Sequence, residues 1–417
     1  MDINGAEIVN ESTSRHLNRA NLAAALQDIR QRTIALHTAY EAALGPTLRV
    51  PCTPEFNPPL WELGHISWFA DWWLARNPER SLGTAANPQA PRLPARQAVR
   101  GLNADALYDS SQVPHTSRWQ LDLPDTAHTL DDLARSLQDT LALLSDAADT
   151  DAGLYFFRLA LFHEAMHGEA AIYMAQNLGF SPWVQGAPIA ARAAPSAPTA
   201  AAAPLSIGAQ DWLLGYQGSG FAFDNELEAH TTAVGPFTID AAPITWAAFL
   251  PFIDSGAYAQ PQFWSEAGWA WQRHHPSQAP RYLRRSAQGW EQQVFGQWRA
   301  LDLHAAACHL TAFEAQAWCA WAGRRLPTEA EWEVAAHQPG FTWGQVWEWT
   351  ASPFAPFSGF QPHPYQDYSQ PWFGSRPVLK GACWATAAHL RHRKYRNYFT
   401  PERNDVFAGF RSVAVER

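Results

Sequence analysis

The sequence specifies an α+β protein with a helical N-terminal part and an irregular, strand-containing C-terminal part. Three observations predict this. Residues 14–184 carry apolar side chains at three- and four-residue spacing, the period of amphipathic helices. Residues 185–204 form an Ala/Pro-rich stretch with no core of its own, which is linker composition. Residues 205–417 alternate short strand-like runs with Gly/Pro clusters and hold most of the 21 tryptophans.

Four helices are expected in the first part, and four such helices form an antiparallel bundle. The first covers residues 25–40. The second starts near Pro59, with Asn57 before it and Pro in its first turn as start signals, and runs to Leu74. A third follows Thr129, aligning Leu130, Leu133, Leu137, Leu141 and Leu144. The fourth runs through residues 154–167 without Gly or Pro. In the last part, residues 233–240, 378–384 and 409–415 read as strands, and Thr311 opens a helix.

At 417 residues the chain is long enough for two or three domains with full cores. A hydrophobic share of 47% with 17% charged residues describes a soluble globular protein. The net charge of −9 argues against nucleic acid or an anionic membrane as partner. Cys52, Cys308, Cys319 and Cys383 show no paired framework, so free thiols in a reducing cytoplasm are expected. No secretory leader is read at the N-terminus, and no apolar run approaches the ~18–20 residues that span a membrane.

The chemistry concentrates at His163-Glu-Ala-Met-His167. Residues i and i+4 share a helix face, and two imidazoles so placed can hold a divalent metal. Such a pair also arises by chance in a chain with 16 histidines, so a third ligand is needed. His65, in the second helix, is a candidate, because a bundle builds metal sites from facing helices. A core histidine is the plainer reading of that residue.

Asn57-Pro-Pro-Leu-Trp-Glu-Leu-Gly-His65 and Phe162-His-Glu-Ala-Met-His-Gly-Glu resemble the DinB-type helical domain of the EgtB sulfoxide synthases. The second half resembles their formylglycine-generating-enzyme-like (C-type-lectin-like) domain. There the carriers are Gly323-Arg-Arg-Leu-Pro-Thr-Glu-Ala-Glu-Trp-Glu, Val346-Trp-Glu-Trp-Thr and Phe407-Ala-Gly-Phe-Arg. The resemblance implies a DinB-like four-helix bundle over 14–184 and the second domain over 205–417. It implies that His65, His163 and His167 bind Fe(II), and that O2 couples C2 of hercynine to a sulfur or selenium donor. It places Asn397 on the substrate carboxylate, Tyr398 on the trimethylammonium, and a catalytic tyrosine at Tyr365 or Tyr368. Glu164 and Glu169 are expected as solvated carboxylates or as partners of the ligand imidazoles.

The sequence departs from the sulfur enzymes at several positions. Met166 stands where they have glutamine, and Phe399 where they have aspartate. Their basic donor-binding segment is replaced by residues 108–121, with Ser110 and Ser111 and with Arg118 as the main cation. Unpaired carboxylates of a dipeptide donor would cost several kcal/mol there. A neutral seleno-sugar fits better, and the segment resembles that of the selenoneine synthases (SenA). A thiol donor, cysteine or γ-glutamylcysteine, is the alternative within the family. An H-E-x-x-H zinc hydrolase with Glu164 as base is the remote one.

Overall fold

The computed structural model describes residues 13–95, 103–183 and 203–415. The Ala/Pro-rich stretch, except for its last two residues, lies outside them.

Helix α1 spans Arg19–Leu44, capped by Asn18, whose side chain accepts the Asn21 N–H. Helix α2 spans Pro59–Ala70 and passes into one π-helical turn, Asp71–Ala75, rather than continuing as α-helix to Leu74. Asn57 does not cap α2; its Oδ1 accepts from Arg118 Nη1 at 2.8 Å. A short helix α3, Ala104–Tyr108, follows. Helix α4 spans Thr126–Asp146, starting before the expected Thr129 because Asp125 accepts the His128 N–H as N-cap. Helix α5 spans Asp151–Leu178, from a Thr150 cap to Gly179 in the left-handed conformation at φ 81°. Helices α1, α2, α4 and α5 pack on one another.

The C-terminal part holds two four-stranded sheets, a three-stranded meander and a strand pair. In the sheet nearest α5 the order is Asn397–Tyr398, Pro377–Gly381, Trp347–Pro353, Ala408–Gly409. Its first three strands are antiparallel and the last pairs in parallel. The expected strand at 233–240 is two strands, His230–Val234 and Phe237–Ile239, split at Gly235-Pro236. The expected helix at Thr311 is Ala312–Trp321, closed by a Thr311/Glu314 capping box.

One hydrophobic core runs through both parts. Phe162 of α5 lies 4.8 Å from Phe221, ring to ring, and Trp347 Nε1 donates to Glu169 of α5 at 2.6 Å. Further along α5, Gln176 donates to Gln293 O and accepts from Phe295 N. Helix α5 thus carries much of the surface on which the C-terminal part docks, and Arg32 of α1 adds a bond to Ala385 O at 2.7 Å. The four cysteines are free thiols, with Cys52 exposed and the other three buried. Among the described residues no helix is long and apolar enough to cross a membrane.

Candidate metal centre

His65 of α2 and His163 and His167 of α5 converge, with ligand atoms all within 4.8 Å of one another. His163 Nε2 and His167 Nε2 are 3.1 Å apart. Two nitrogens at ~2.1 Å from one ion and at right angles would be ~3.0 Å apart. Two of the rings are held from behind. His65 Nδ1 donates to Tyr108 O at 2.8 Å, and His167 Nδ1 donates to the Glu62 carboxylate. Each bond fixes the tautomer and leaves on Nε2 the lone pair that a metal ion could take.

Aromatic rings wall the centre. Trp61 stacks on His65 at 4.8 Å and 9°, and Phe69 stacks on His163 at 3.5 Å and 3°. Burial, and then the nearby His167, lower the His65 pKa to about 3. Burial, followed by His167 and His65, holds His163 well below its ordinary value. These two rings are therefore neutral at ordinary pH, as ligands must be. Three imidazoles without thiolate or carboxylate suit a first-row divalent ion with positions left open.

Gly64 makes the Tyr108 contact possible, because a Cβ there would fall inside the Tyr108 ring. That close approach lets Tyr108 O reach the next residue, His65.

Neither glutamate expected beside the histidines is there. Glu164 faces α1, in a buried ion pair with Arg30 (2.8 and 3.0 Å) and accepting from Thr33 Oγ1 at 2.7 Å. With both oxygens so engaged, it is not placed as the base of an H-E-x-x-H hydrolase. Glu169 faces the C-terminal part, taking Trp347 Nε1–H and the Cys383 thiol, and burial raises its pKa. Neither is solvated. The carboxylate that meets a ligand imidazole is Glu62.

Tyr365 lies 5.0 Å from Phe69 and 6.4 Å from His163, ring to ring. Tyr368 is one ring further out, 6.0 Å from Tyr365 and stacked on Phe223 at 4.3 Å. Its hydroxyl bonds that of Tyr395 at 2.8 Å, and Tyr395 Oη in turn donates to Met166 Sδ at 3.5 Å. Burial raises the pKa of Tyr365 and Tyr368.

The remaining expected residues are engaged with groups other than the three histidines. Asn397 Oδ1 accepts the Tyr398 N–H at 2.9 Å, so its amide NH2 is left to donate elsewhere. Tyr398 stacks on Phe354 at 4.0 Å and donates to Tyr368 O. It already has a cation nearby, the Arg376 guanidinium, 5.7 Å from its ring. Phe399 connects to α5 through Arg403, which lies against both Phe399 and Tyr173. Ser110 and Ser111 are exposed, in the turn just after Tyr108, with Ser111 Oγ donating to Asp109 at 2.7 Å. Arg118 is 3.8 Å from the Trp61 ring, so Trp61 separates it from His65, and Asn57 and Val113 O accept its donors.

The C-terminal part matches the sulfatase-modifying factor enzyme 1-like domain (FGE-sulfatase) family over residues 205–345 and 341–415. The chain is 32% identical to the hercynine oxygenase of Mycolicibacterium thermoresistibile, over 94% of each chain. It is 30% identical to that of Mycolicibacterium smegmatis, over 94% of this chain and 98% of the relative. It is 31% identical to that of Mycobacterium tuberculosis, over 86% and 91%. The helical part followed by the FGE-sulfatase domain gives a mixed α+β fold, and the hercynine oxygenase relatives place the chain among oxygen-using enzymes. Within that class it belongs to the hercynine oxygenase family, whose members are oxidoreductases.

Proposed function

We propose that this chain holds Fe(II) on His65, His163 and His167 and uses O2 to join a selenium donor, a seleno-sugar, to C2 of the hercynine imidazole. The observation that carries the metal reading is the convergence of three imidazoles, two of them fixed through Nδ1. Bound there, the ion would supply open positions for oxygen, for a substrate imidazole and for a soft donor atom.

The protein's own groups do the rest. Tyr108 O and Glu62 orient the ligand rings, and Trp61 and Phe69 keep water from their faces. Tyr365, beside His163 and holding its proton because it is buried, is the catalytic tyrosine that donates that proton during turnover. Tyr368 and Tyr395 position Met166. Asn397 offers its free amide to the hercynine carboxylate.

The selenium reading rests on what the donor-facing segment offers. Ser110 and Ser111 are exposed hydroxyls, and Arg118 lies on Trp61 and spends its Nη atoms on Asn57 and Val113, leaving only a buried Nε. A neutral, hydroxyl-rich donor needs no more. One observation favours sulfur: Arg376, beside Tyr398, has no ion-pair partner among the described residues and could take a carboxylate of cysteine or γ-glutamylcysteine. Turnover of hercynine with a seleno-sugar, cysteine and γ-glutamylcysteine in parallel decides. A C2-coupled product from the seleno-sugar is expected; product from a thiol donor alone would overturn the selenium reading.

A further inference from the structure

Behind the histidine cluster, α1, α2 and α5 line a partly open pocket of about 40 Å³, which His167 also borders. Its walls are mostly aliphatic, with Leu36, Leu63, Ile66 and Met174 among them, but Glu62 and His37 also line it. His37 is 5% exposed, and neither of its ring nitrogens has a hydrogen-bond partner among the described residues. A buried imidazole is ordinarily paired, so two orphaned nitrogens on one ring call for an explanation. Burial lowers the His37 pKa, leaving a neutral ring with one N–H to give and one lone pair to receive. Glu62 is half used: one oxygen takes the His167 Nδ1–H, and the other accepts from no described group. A water occupies ~10–15 Å³ of such space and needs two or more polar partners. The pocket has the volume, and Glu62 and His37 are the polar residues of its mostly apolar lining that could partner the water.

We propose that this cavity is a hydration site, in which one to three ordered waters bridge His37 to the free oxygen of Glu62, making His37 a positioning residue for His167. The route is a third layer behind the metal: imidazole, water, carboxylate, ligand imidazole. The waters complete the hydrogen bonding of Glu62 and hold the carboxylate at the angle His167 requires. His37 touches no substrate and acts only through Glu62.

This inference rests on the histidines holding a divalent ion, and the test separates the two. Co(II) binding to the full chain is followed by its visible absorption. Wild type that binds no Co(II) would remove the metal reading itself. The hydration site is tested independently by a high-resolution crystal structure of the wild-type chain, and a dry cavity would overturn it. His37→Phe is expected to weaken Co(II) binding about 10-fold and to alter the absorption band, because Glu62 and His167 are no longer held in place. His37→Gln, which still gives and receives hydrogen bonds, should restore affinity to within about twofold. Ala171→Leu, which fills the cavity from α5 and leaves both polar side chains intact, should reproduce the loss. Wild-type affinity in His37→Phe, or His37→Gln as weak as His37→Phe, would overturn the positioning role. If His37→Phe does not fold, an unchanged Ala171→Leu does so instead.

Discussion

Glu62 and His167 meet where α2 crosses α5: the imidazole Nδ1–H donates to the carboxylate, three residues before His65 on the same helix. One helix thus supplies an imidazole of the cluster and fixes an imidazole of its neighbour. Glu62→Ala should weaken divalent-metal binding by about 10–100-fold, with Glu62→Gln in between. Equilibrium titration of the apo chain with Fe(II) under anaerobic conditions measures it. Unchanged affinity in Glu62→Ala would show that the carboxylate does not hold His167.

Gly64 is required by contact rather than by backbone conformation. Gly64→Ala drives a methyl group into the Tyr108 ring, at a cost of about 1–3 kcal/mol, and withdraws the carbonyl that holds His65. A lower Tm together with weaker metal binding is expected. A lower Tm with intact metal binding would separate the packing of Tyr108 from its hold on His65.

The clustering of His163 and His167 was legible in the sequence because i and i+4 histidines must share a helix face. The two glutamates beside them misled for the same geometric reason. One residue turns the helix by ~100°, so Glu164 points away from His163 toward Arg30; two residues turn it by ~200°, so Glu169 faces opposite His167. Glu62 had a signal, a carboxylate three residues before His65 in Trp61-Glu-Leu-Gly-His65. Tyr108 had none, since any residue can offer a backbone carbonyl. Choosing between Tyr365 and Tyr368 was beyond the sequence, because an irregular loop has no period to assign faces. Tyr395, which contacts Met166, was missed for that reason too.

The two tyrosines should separate in experiment. Tyr365→Phe is expected to slow single-turnover coupling by about 10²-fold or more with little change in Tm. Tyr368→Phe loses its bond to Tyr395 and should cost about 1 kcal/mol of stability, with the smaller effect on rate. Because burial raises both phenols, neither should ionise across the neutral pH range, so the Tyr365-dependent rate should be flat there.

Glu169 gives the interface a pH dependence of defined sign. Its pKa is raised by burial, so above the ordinary carboxylate value of ~4.3 the folded chain retains a proton that the unfolded chain has released. Its contribution to stability is full below that value and is lost as pH rises through the raised pKa. Glu169→Gln, which can still accept from Trp347 Nε1, should show a flatter fall of Tm from pH 4.5 upward than wild type. Parallel slopes would place the titration elsewhere.

Helix α5 carries two of the three imidazoles and also much of the surface that the C-terminal part covers. As the ribosome delivers the chain from its N-terminus, all three histidines emerge long before Tyr365 and Tyr395, which close the site from the other side. The three imidazoles are thus all synthesised before any residue of the C-terminal wall. On the proposed function, the order of synthesis therefore places the residues that would load the metal ahead of those that would use it.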